Sequence, residues 1–101
     1  MRIEQIKKII SRAPNSNLVA LNREDLSAVI DNLPKIKINE IDSNSDGWEE
    51  IIDVVTYALF YYKLRNQPLW INVMHHIEYI SQTSLNTNVV TRSKEYLSEM
   101  T

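Results

Sequence analysis

From about Gly47 to Arg65 the chain carries apolar residues around most of the circumference of one helix: Trp48, Ile51, Ile52, Val55, Leu59 and Tyr62. A helix with one apolar stripe can lie on a surface, whereas a helix apolar on several sides must be covered on several sides. Its longest strongly apolar run, Val54 to Tyr62, is about nine residues, against roughly twenty for a membrane-spanning helix. The expectation is the central helix of a small all-α bundle, with no membrane association.

The rest of the chain reads as the cover for that helix. Ile3, Ile6, Ile9 and Ile10 share one stripe of a helix over residues 2–13, with Pro14 and the polar residues Asn15, Ser16 and Asn17 as its stop. Asn22 is placed to cap a second helix ahead of Asp25, with Leu21 and Leu26 as a hydrophobic staple. Leu26, Val29, Ile30 and Leu33 form its buried face, and Pro34 ends it. Pro68 suits a first helical turn, and Trp70, Ile71, Val73, Met74, Ile77 and Ile80 fill the helix that follows. Val89, Val90, Tyr96, Leu97 and Met100 give a final amphipathic helix. Lys35 to Ile41 (KIKINEI) alternates polar and apolar residues. It fits a short strand, an extended linker or a loose helical turn.

Four to five helices with short connections predict antiparallel neighbours in one domain spanning residues 1–101. One Gly and three Pro argue against a sandwich or barrel with many tight turns, and 44% hydrophobic residues provide a core.

Composition narrows function mainly by exclusion. Cysteine is absent, which removes disulfides, thiolate metal sites and cysteine nucleophiles. The N-terminal residues mix charges through their apolar positions and lack the apolar core of a secretory signal, so the expected compartment is the cytoplasm. A net charge of −2 gives no basic footprint for direct nucleic-acid binding. His75 and His76 are adjacent and diverge by about 100° on a helix, so one semi-buried and one exposed histidine are expected in place of a metal pair. With no glycine-rich phosphate loop and no nucleophile motif, neither an enzyme nor a cofactor is expected. Tyr57, Phe60, Tyr61 and Tyr62 are read as central-helix packing, and any part left exposed would mark an interface. Arg2, Lys7, Lys8 and Arg12 are read as a solvated face, or as a hint of self-association through an acidic patch on a second copy.

The strongest functional pointer is charge asymmetry. Glu40, Asp42, Asp46, Glu49, Glu50 and Asp53 fall in one segment without Lys or Arg, giving it −6 within a chain of −2. Local structure accounts for part of this, with Asp46 as a helix cap and Glu49 as its capping-box partner. Glu49 and Glu50 would also favour the positive end of the helix dipole.

Residues 42–53 (DSNSDGWEEIID) also resemble the calcium loops of EF-hand and dockerin-type families. The resemblance implies ligands at Asp42, Asn44, Asp46 and Asp53, a carbonyl from Trp48 and a sharp turn at Gly47. Glu49 stands where these families usually carry an apolar anchor, Asp53 is shorter than the usual Glu, and the sequence holds no second loop. In size, charge and helix content alone, the chain is similar to immunity proteins that neutralise nuclease toxins and to inhibitors that mimic nucleic acid. Carboxylates gathered near a helix start with Trp48 beside them point to a non-catalytic protein-binding module, of which such proteins are examples. Its acidic face (Asp42, Asp46, Trp48, Glu49, Glu50 and Asp53) would meet a basic partner such as a toxin or nuclease. Trp48 would supply apolar contact area there if exposed. The calcium loop and a structural or self-associating domain are the alternatives.

Overall fold

The computed structural model describes residues 2–11 and 20–101. The expected stop at residues 14–17 and Arg12 lie outside the described residues. Among the described residues there are six α-helices, one 3-10 turn and no strand. They run α1 (Ile3–Ile10), α2 (Arg23–Asn32), the 3-10 turn (Leu33–Lys35), α3 (Ile38–Ser43), α4 (Ser45–Tyr61), α5 (Pro68–Thr83) and α6 (Thr87–Met100). The all-α expectation holds, with one more helix than the four to five read from the sequence.

That extra helix is α3, and it corrects the strand reading of residues 35–41. A lone strand leaves its backbone polar groups without a ladder partner, whereas one helical turn satisfies them within the segment. Here the amides of Glu40 and Ile41 donate to the carbonyl of Lys37. Ile38 and Ile41 fall three positions apart, so one turn directs both inward: Ile41 is fully buried and Ile38 half-buried against the core.

α4 occupies the centre, as its pattern requires. Trp48, Ile51, Ile52, Val55, Ala58 and Leu59 are completely buried, and α1, α2, α3 and α6 all pack on this helix. α5 and α6 pack extensively on one another, and α5 also meets α2 and the 3-10 turn. The cover thins at the C-terminal end of α4, where Tyr57, Phe60 and Tyr61 remain exposed. The rings of Tyr57 and Tyr61 stack there at 6.2 Å, and Phe60 meets the edge of Trp70 at 5.0 Å.

Local signals explain the helix ends. Asn22 caps α2 as expected, its side chain accepting the amide proton of Asp25 at 2.8 Å. α4 starts earlier than read: Asn44 is its cap, accepting from the Gly47 amide at 3.2 Å, so Asp46 lies inside the first turn. This removes the capping-box role given to Asp46 and Glu49. Gly47 makes no left-handed turn. A Cβ there would stand 2.8–3.0 Å from the Asn44 side chain, so glycine leaves room for the cap.

α4 ends with Lys63 at φ 57°, the Leu64 amide donating to the Leu59 carbonyl and the Lys63 amide to that of Phe60. This is a Schellman closure, with Leu64 folding back into the core. Pro68 opens α5 as expected.

Candidate functional site

The acidic residues are distributed over α3 and α4, and most hold one helix to another. Glu40 accepts the amide proton of Ile3 at 2.5 Å and pairs with Arg2 at 3.3 Å. It thereby satisfies a free donor at the start of α1, where the helix dipole favours negative charge. Asp42, in α3, accepts from the Ser84 hydroxyl at 2.5 Å and the Leu85 amide at 3.0 Å, while its carbonyl accepts from Asn86 Nδ2 at 2.9 Å. One aspartate therefore ties α3 to the α5–α6 connection.

Glu49 and Asp53, one turn apart on α4, converge on Arg92 of α6. The Arg92–Asp53 separation is 3.3 Å and the Arg92–Glu49 separation 4.0 Å. Arg92 also pairs with Glu95 at 2.8 Å and lies over the Tyr96 ring at 4.3 Å. The Tyr96 hydroxyl donates to Asp53 Oδ1 at 2.6 Å. Burial first, then that hydrogen bond and the Asp53 charge, push the Tyr96 phenol well above its ordinary pKa, so it remains a donor. Glu50 pairs with Lys7 of α1 at 3.2 Å, and Asp46 is exposed.

Two expectations change on this geometry. Trp48 is completely buried, packed against His76 and edge-on to Tyr96, so it supplies core packing and no surface contact area. The proposed calcium ligands do not form a loop around one point. Asp42 faces Ser84, Asn44 caps α4 and Asp53 faces Arg92 and Tyr96. Among the described residues no three His, Cys, Asp or Glu side chains gather as a metal site requires.

A different concavity emerges on the other side of α3. A groove of about 780 Å³ runs between α5 and the stretch from the end of α2 to the start of α3. Ile30, Pro34, Ile36 and Ile38 line one wall, and α5 contributes Asn72, His75, His76 and Tyr79. Asp31, Lys35 and Lys37 bring charge to it. Lys35 and Lys37 also border a neighbouring hollow with Arg2 and Glu40. Tyr79 is exposed despite its size.

The two histidines divide as expected: His75 is exposed, while His76 is buried and accepts the Trp48 indole N–H on Nε2 at 3.1 Å. Burial lowers the His76 pKa from 6.5 to about 4, leaving the ring neutral near pH 7.

The sequence reading missed this groove because its walls come from segments about forty residues apart. Its visible traces were the alternation in residues 35–41 and the His75–His76 pair, each with a plainer local explanation. Among the described residues, no helix is long and apolar enough to cross a membrane. Comparison with protein families, with curated proteins and with solved structures finds no match for this chain.

Proposed function

We propose that this chain is a non-catalytic protein-binding module whose binding face is the groove between α5 and the α2–α3 connection. Its occupant is a segment of a partner protein carrying apolar side chains and net negative charge. The observation that carries this reading is the groove itself: isoleucines and a proline on one wall, an exposed tyrosine on the other, and two lysines against one aspartate. Apolar side chains gain most from leaving water in such a concavity, while surrounding charges orient the encounter.

The acidic segment that first suggested binding has work elsewhere, since Glu40, Asp42, Glu49, Glu50 and Asp53 all engage groups of this same chain. Much of that segment's charge is thus balanced within the chain, which favours the groove as the docking face and a partner of opposite charge to the one expected.

The test is panning of a random peptide display library, followed by amide chemical-shift mapping of the enriched peptides on the labelled chain. Shifts concentrated at residues 30–38 and 72–79 are expected. Binding should be lost in Tyr79→Arg and retained in Asp46→Lys. Shifts centred on Asp46 and Glu50, with binding lost in Asp46→Lys, would return the docking face to the acidic segment. Absence of any enriched binder would overturn the module reading.

A further inference from the structure

His76 is 7% exposed, and its ring meets two different surroundings. Nε2 faces inward to the Trp48 indole N–H. An indole nitrogen only donates, so Nε2 must be the acceptor, and a neutral imidazole then carries its proton on Nδ1. Among the described residues no group accepts from that Nδ1–H. Nor is it sealed in: the described side-chain nitrogen or oxygen that is both fully buried and unpartnered is Trp70 Nε1. His76 is itself one of the residues that line the groove.

We propose that the groove anchors a carboxylate of the docked segment on His76 Nδ1–H, with Lys35 and Lys37 providing the opposite charge. This rests on the groove reading above and adds the chemical group that the groove recognises. The locked tautomer gives the choice its direction. With Nε2 occupied, the ring offers a donor and no free acceptor, so it favours an oxygen acceptor over an ammonium or amide N–H. A hydrogen bond to a charged acceptor is stronger than one to a neutral carbonyl, and two lysines on the same groove favour the charged one. The depressed pKa keeps the ring neutral around pH 7, and the Trp48 hydrogen bond on Nε2 keeps its one proton on Nδ1. Trp48 acts as a positioning residue, since it fixes the tautomer without reaching the groove. Asp31, the acidic member of the lining, limits the site to few negative charges.

The experiment uses paired peptides, N-acetylated and C-amidated, built from Leu, Ile and Phe with one Glu placed at each position in turn. The second member of each pair carries Gln in place of Glu. Affinities are measured by amide shift titration on the whole chain, and the His76 tautomer is read from its ring nitrogen shifts. The expected results are a protonated Nδ1 in the free protein, a displacement of that signal on binding, and about tenfold tighter binding of the best Glu peptide than of its Gln partner. Lys35→Gln combined with Lys37→Gln, both at exposed positions, should shrink that ratio while leaving the fold unchanged. Trp48→Phe should release the tautomer and weaken the preference, and the lysine pair keeps the test decisive if that core variant fails to fold. Peptides that shift the groove amides with no Glu preference would overturn the carboxylate anchor and leave the groove reading standing. A free-state ring protonated on Nε2 would also overturn the anchor. Peptides that bind without shifting the groove amides would overturn both.

Discussion

The indole N–H of Trp48 donates to Nε2 of His76 across 28 positions of sequence, at 3.1 Å and within the core. One hydrogen bond thus satisfies the polar atom of the central helix's largest side chain and fixes the protonation pattern of a histidine on α5. The burial of that histidine also couples the fold to pH. The folded-state pKa of His76 is about 4, and its unfolded value is 6.5. Below 6.5 the unfolded chain takes up a proton that the folded chain refuses. This contribution is therefore fully present above pH 6.5 and declines as pH falls towards 4. At 1.36 kcal/mol per unit, the loss over that window is about 3 kcal/mol. Denaturant melts between pH 7 and 4 should show it, and His76→Phe should flatten that slope while lowering stability at pH 7 by orphaning the indole N–H.

The acidic segment should separate by partner. Asp42→Ala removes the acceptor for Ser84 and Leu85 and is expected to cost about 1–2 kcal/mol, lowering Tm by several degrees. Asp46→Ala, at an exposed first-turn position, should change stability by less than about 0.5 kcal/mol. Equal effects in thermal melts would contradict the role of Asp42 as a tie between α3 and the α5–α6 connection.

Tyr96→Phe keeps the ring and its contacts with Trp48 and Arg92, and deletes only the hydroxyl that donates to Asp53. A loss of about 1.5 kcal/mol is expected, the lower end for a hydrogen bond to a charged group. A double-mutant cycle with Asp53→Ala should recover most of that loss as coupling.

Lys63 sits at φ 57°, in the left-handed position that ends α4 and where glycine carries no steric penalty. Lys63→Gly should therefore stabilise the protein by about 1 kcal/mol, seen as a rise of about 4–8 °C in Tm for a domain of this size. A fall would show that the lysine side chain contributes more than the backbone strain removes.

Much of the architecture was legible because helix periodicity and punctuation are local. The isoleucines of α1, the Asn22 cap, the Pro68 start and the all-round apolar pattern of α4 each depend on neighbours within a few residues, and each appears as read. The α3 region was ambiguous because the seven residues 35–41 place isoleucines both two and three positions apart, which satisfies two periods at once. The absence of a partner strand decided it.

Sites depend on contacts between distant segments, and there the sequence reached its limit. It determined an all-helical chain with α4 at its centre, and it determined where carboxylates concentrate. It did not determine what those carboxylates face. Arg92 reaches Glu49 and Asp53 only because α6 packs on α4, and Lys7 reaches Glu50 only because α1 does. Tertiary structure turned an apparent surface charge cluster into interhelical ties and withdrew Trp48 into the core. It also assembled a groove from residues that share no local pattern. The physical reason is that helix formation is settled by periodicity within a turn or two, whereas the partner of a charge or the wall of a groove is settled by which helices meet.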